Sequence, residues 1–164
     1  MANKDAFIAE LNVESASTQK ILERVPIEKA SWKPHEKSMT LGRLATHVAD
    51  IPHWISRIIT VDDWDFAVQG FSRHVSESQE ELLNIFQEKR DKAIADLGTM
   101  NEEDFNKTWI VRNGDKMRRE LPKKIAIRSW GFSHLVHHRG QLSVYLRLLD
   151  VPVPGMYGPS ADEM

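Results

Sequence analysis

Between Lys123 and Leu149, apolar side chains return every three or four positions, at Ile127, Trp130, Leu135, Leu142, Tyr145 and Leu149. That is the period of one long amphipathic helix, and Pro122 suits its first turn. Three other stretches repeat the pattern. Phe7, Ile8, Leu11, Ile21 and Leu22 predict a helix over 6–25, stopped by Pro26. Leu41, Leu44, Val48, Ile51, Ile55 and Ile58 predict a second, running to about Ile59, with Ser38 or Thr40 as its cap. Pro52 has no N–H for the Val48 carbonyl, so a kink is expected inside it. Leu82, Leu83, Phe86, Ala93, Ile94 and Leu97 predict a third, opened by Ser76 with Gln79 in a capping box and ended before Gly98.

The connections read differently. Lys29 to Ser38, with Trp32, Pro34 and His35, is a loop. Val61 to Val75 has no clean period yet holds Trp64, Phe66, Gly70 and Phe71, the composition of a cover over a site. Asn101 to Phe105 fits one helical turn. Trp109 and Val111 alternate with Ile110 and Arg112 ahead of Asn113-Gly114, which predicts a tight β-hairpin. After Leu149 the Pro- and Gly-rich tail cannot stay helical, and Met156 and Tyr157 predict that it packs back. The expected fold is therefore all-α: one domain over 1–164, a four-helix bundle with a small β-hairpin insert before the last helix.

Composition narrows the function. At 164 residues the chain can bury a core without staples. Its net charge of −2 is dispersed, and the densest basic patch (Lys116, Arg118, Arg119, Lys123, Lys124) is broken by Glu120, so a solvated edge is expected and no nucleic-acid partner. No apolar run approaches the roughly 20 residues of a membrane span, and the charged start does not resemble a secretory signal. A cytoplasmic location follows as the default. The absence of cysteine removes disulfides, thiolate-bound zinc and a cysteine nucleophile, so any thiol chemistry needs a thiol cosubstrate.

The candidate chemistry is in histidines. Positions four apart on a helix lie about 40° from each other, so His134 and His138 can aim at one spot, while His137 is turned about 60° from His134. Gln141 and Tyr145 extend the line into a polar streak on a face expected to be buried, where polar groups need partners. On the second helix His47 sits within the apolar stripe, and the Pro52 kink helps to aim it inward. Two neutral imidazoles from one helix and one from another are a ligand set for a divalent metal, with at least one position left open for water, thiolate or oxyanion. Asp50, one turn from His47, either accepts the second ring N–H of an inward histidine or faces water, and is a candidate for that acceptor or for a base. Gln141 and Tyr145 are candidates for orienting substrate, and Trp54 and Trp130 for lining a pocket closed by the 61–75 loop and the tail. His35, His53 and His74 stand apart as ordinary residues. A metal-free polar cluster of the three histidines is the alternative to a metal site.

The combination of LGRLATHVAD, HLVHHRGQLSVYLRLL and a tail of the form VPVPGMYGPS resembles the DinB-like family of small bacterial metal-binding bundles over nearly the whole chain. That resemblance implies an up-down-down-up four-helix bundle with a divalent metal, zinc or nickel foremost, on His47, His134 and His138. It implies a homodimer acting on a small-molecule substrate. The implied chemistry is that of thiol-dependent transferases, which use a low-molecular-weight thiol such as bacillithiol or mycothiol, or of metal-dependent hydrolases. A non-catalytic metal- or small-molecule-binding bundle, a sensor or resistance protein, is the other function class consistent with the same features.

Overall fold

The computed structural model describes residues 2–70 and 72–164; Phe71, which belonged to the expected cover segment, lies outside them, as does Met1. The chain is mostly helical. Helix α1 spans Asn3–Leu22, α2 Leu41–Asp50, α3 His53–Thr60, α4 Phe66–Gln69 and α5 Gln79–Thr99. The last helical stretch is α6, Lys123–Ala126, a π-helical segment, Ile127–Ser133, and α7, His134–Leu148. Among the described residues no helix is long and apolar enough to cross a membrane.

Local chemistry accounts for the boundaries. Thr40 is the cap of α2, its Oγ1 accepting the Arg43 amide at 3.3 Å. Pro52 divides the expected second helix into α2 and α3, which restart through short-range bonds from Trp54 to Ile51 and from Ile55 to Pro52. The cap of α5 is Ser78, not Ser76: Ser78 accepts the Glu81 amide at 3.1 Å while Glu81 takes the Glu77 amide at 2.7 Å. Ser76 is buried instead, donating its amide to Thr46 Oγ1 at 2.9 Å and so fastening the approach to α5 onto α2. Helix α5 also runs past Gly98 to Thr99.

The expected hairpin exists, and a third strand joins it. Strand β1 (Asp63–Asp65) pairs parallel with β2 (Thr108–Arg112), which pairs antiparallel with β3 (Arg118–Pro122). The all-α expectation is corrected to that extent. The turn is also wider than Asn113-Gly114 alone: Asn113 donates to the Met117 carbonyl at 2.9 Å, and Gly114, at φ 52°, gives its amide to Asp65 at 2.9 Å. Asp65 therefore holds the hairpin loop against β1. Lys123, expected on a solvated edge, is buried, with Nζ on the Ile59 carbonyl (3.0 Å) and on Asp62 (2.9 Å).

Two apolar clusters form the core. One gathers Phe7, Leu11, Trp54, Phe105, Trp109, Ile127 and Phe132; the other gathers Leu22, Leu44, Val48, Phe86, Leu135, Leu142 and Leu146. The last helical stretch passes from the first to the second between Phe132 and Leu135, and the α2–α3 stretch crosses between Ile51 and Trp54. His134 stands at the first crossing, and His47 lies one turn before the second. The tail packs back as expected, with the Met156 carbonyl accepting from Ser17 and the Tyr157 hydroxyl on Glu14.

Candidate metal centre

Three histidines from two helices converge at this seam. Ring centroids lie 5.0 Å apart for His47 and His134, 4.6 Å for His47 and His138, and 4.7 Å for His134 and His138. Each ring brings one nitrogen to a set whose members all lie within 4.8 Å of one another. The Nε2 atoms of His47 and His134 are 3.2 Å apart. Tetrahedral zinc with bonds of about 2.0–2.1 Å needs neighbouring nitrogens about 3.3 Å from each other. The fit is close for that pair.

The outer nitrogens settle which inner ones are free. His134 Nδ1 faces the Trp130 carbonyl at 3.3 Å, and His138 Nδ1 faces Gln141 Oε1 at 2.7 Å. Both partners are acceptors, so in the neutral rings Nδ1 carries the hydrogen and Nε2 keeps its lone pair. His134 follows directly on the π-helical segment, its amide bonding to the Gly131 carbonyl three residues back and its ring facing the Trp130 carbonyl. Gly131 itself is required by packing: a Cβ there would lie 2.7 Å from Ile55 Cγ1 on α3. Widened turns of this kind recur at functional sites.

Electrostatics keep the imidazoles neutral. The pKa of His47 is lowered to about 3, chiefly by burial and then by His138, His134 and Arg43. That of His134 is lowered to about 4, chiefly by burial and then by His138, against the opposing Trp130 carbonyl. His138 is lowered by burial as well, with Gln141 opposing. At neutral pH no proton has to leave before a cation binds.

Beside His47 lies a cleft of about 260 Å³ whose walls include Arg43, Asp50, Trp54, Arg57 and Lys89. Gly70, Ser72 and His74, from the segment expected to be a cover, also line it. The tail does not; it packs on α1 and α7. Asp50 lines this cleft. Tyr145 is turned elsewhere, its hydroxyl donating to the Met39 carbonyl at 3.2 Å and its ring edge-on to Trp32. Trp130 packs on Trp54 and Phe66 and, at 6.5 Å, on the His134 ring. Of the other histidines, His137 packs its ring on that of His138 with centroids 4.7 Å apart, His35 accepts the Lys37 amide, and His74, which lines the cleft, pairs with Glu81 at 2.8 Å. The sequence reading missed the cationic lining, although Arg43, four residues before His47, is on the same line of α2.

Comparison with known proteins gives a consistent picture. The sequence model of the DinB family matches residues 1–164. The uncharacterized protein YrdA of Bacillus subtilis strain 168 is 26% identical over 159 residues, covering 97% of this chain and 90% of YrdA. The uncharacterized protein YjoA of the same strain is 23% identical over 141 residues, with 86% and 84% covered. Among solved structures, a DinB-like protein from Bacillus cereus ATCC 10987 is similar with a TM-score of 0.73 and 23% identity, over 93% of this chain and 97% of the other. The YjoA structure gives 0.66 and 20%, over 88% and 94%. These structural likenesses speak for the fold alone.

Proposed function

Because the chain belongs to the DinB family, we propose that it is a cytoplasmic metal-dependent enzyme with a divalent cation, zinc or nickel, on His47, His134 and His138. The reaction is attack by water or by a low-molecular-weight thiol on a small electrophilic substrate, as in a hydrolase or a thiol-dependent transferase. The observation that carries the reading is the convergence of three neutral imidazoles, two of them locked by acceptors at Nδ1 so that Nε2 points inward. Three protein ligands leave a position open, the arrangement of working metals, whereas structural zinc is closed by four. A bound cation would supply acidity, shifting a coordinated water or thiol toward its deprotonated form. The chain has no cysteine, so a thiol would enter from solution.

The chain's own residues take the remaining roles in this reading. Asp50 accepts a proton from the group activated in the cleft, Gln141 fixes His138, and Trp54 walls the substrate. Tyr145 acts at a distance, supporting α7 through Met39 and Trp32. The frame in this reading is the up-down-down-up bundle of the four long helices. Packing of α1 on α5, of α2 and α3 on α5, and of α2 on α7 supports it.

The test is elemental analysis of untagged protein purified without a nickel column, together with His47→Ala and His138→Ala. Near-stoichiometric metal in the wild type and its loss from both variants is the expected result. Protein that neither carries metal nor takes up added zinc would sink the reading.

A further inference from the structure

The cleft beside His47 carries more positive charge than a metal-activated water or thiol requires. Arg43, Arg57 and Lys89 line it against a single carboxylate, Asp50. Lys89 is offset by Glu88 at 3.0 Å, and Arg43 gives one N–H to the Ser72 carbonyl at 2.7 Å. Arg57 has no carboxylate within ion-pair range among the described residues. It lies instead against two indoles, with Cζ 4.8 Å from the Trp54 ring centroid and 4.1 Å from that of Trp64.

That arrangement is unusual for a half-buried guanidinium. Charge taken out of water needs a counter-charge, and aromatic faces supply only part of it. Burial accordingly lowers the Arg57 pKa, with Asp50 opposing. The two tryptophans also restrict the guanidinium, so less freedom is lost when it binds a planar or tetrahedral oxyanion through its forked N–H donors. At about 260 Å³ the space is slightly below the range of about 300–1,000 Å³ usual for small-molecule sites, and suits a compact ligand.

We propose that the cleft holds an anionic small molecule whose carboxylate or phosphate-type oxyanion sits on Arg57, flanked by Arg43 and Lys89, with its reacting end toward His47. This inference names the substrate class for the metal site proposed above and rests on that reading for its catalytic sense, but the anion site is built from residues that ligate no metal. Arg57 is then the specificity-determining residue, and Trp54 and Trp64 position it.

The experiment is calorimetric titration of the full-length, chelator-treated protein with inorganic phosphate and, separately, with succinate at low salt. Wild type, Arg57→Gln, Arg57→Lys and His134→Ala are compared. The wild type is expected to bind at least one of the two anions without metal, and the stronger binder identifies phosphate-type or carboxylate recognition. Arg57→Gln is expected to weaken binding about tenfold or more, as loss of a charge-assisted hydrogen bond does. Arg57→Lys should retain part of the affinity, and His134→Ala should bind the anion as wild type does while holding no zinc. Absence of binding of both anions to the wild type, or unchanged binding in Arg57→Gln, overturns the proposal. So does binding that appears only after zinc loading and ignores Arg57, which would place the anion on the metal and leave the metal reading intact. Arg57-dependent binding in a protein that never takes up zinc would uphold the anion site and sink the metal reading alone.

Discussion

Gln141 accepts from His138 Nδ1 at 2.7 Å and is itself exposed, so its side chain bears on the ring and little on the core. Leucine in its place removes the acceptor, and His138 is then free to exchange tautomers and rotate its Nε2 away. Zinc affinity of Gln141→Leu should fall about 10- to 100-fold, the usual cost of losing a partner to a ligating histidine. Competition against a chromophoric chelator measures this, with the melting temperature of the metal-free protein expected to stay close to wild type. Gln141→Glu, which keeps an acceptor, should restore most of the affinity. Equal affinities in all three proteins would mean that something other than Gln141 sets the ring. The three inward histidines were legible in the sequence, because four-residue spacing and an apolar stripe both have local geometric meaning. Arg57 was not, because its significance depends on Trp54 one turn back and on Trp64, whose approach is a matter of tertiary structure.

At the scale of elements, the close crossing of α3 and the last helical stretch positions one ligand. Gly131 lets Ile55 pack against the backbone there, and a Cβ would meet Ile55 Cγ1 at 2.7 Å and Cδ1 at 3.2 Å. Gly131→Ala should therefore cost about 1–3 kcal/mol, as overpacking does. Thermal unfolding would register it as a lower melting temperature, and a double-mutant cycle with Ile55→Ala should show the pair losing less than the sum of the singles. Additive losses would show that the helices separate without strain. The π-helical turn around this glycine was not legible, since an apolar period of three to four residues reads alike through an extra residue in one turn. Strand β1 was hidden for a different reason. It is three residues long, carries two aspartates, and pairs with a strand more than 40 residues later, where Arg112 meets Asp63 at 2.9 Å. No local alternation announces such a strand.

Across the whole molecule, α1, α7 and the tail are joined at one buried charge. Arg139, 2% exposed, pairs with Glu14 at 2.5 Å and also donates to the Glu14 carbonyl, to Thr18 and to the Tyr157 hydroxyl, which itself donates to Glu14. It follows His138 in sequence and is turned about 100° from it around α7, so the same helix turn carries a ligand on one face and an anchor on another. A buried pair of this kind contributes little over an apolar pair of similar volume, yet removal of one partner leaves a charge without compensation. Glu14→Gln should thus cost about 3–5 kcal/mol, and Tyr157→Phe about 1.5–3 kcal/mol for a hydrogen bond to a charged group. Replacing both charges, Glu14→Leu with Arg139→Met, should be less destabilising than Glu14→Gln alone. Urea unfolding of the metal-free proteins orders these variants. If Glu14→Gln unfolds at the wild-type midpoint, the arginine is solvated in solution and the tail is held by its apolar contacts. If the order holds, zinc titration of Tyr157→Phe separates the two faces of α7: unchanged affinity means that the anchor stabilises the fold without setting the ligand geometry.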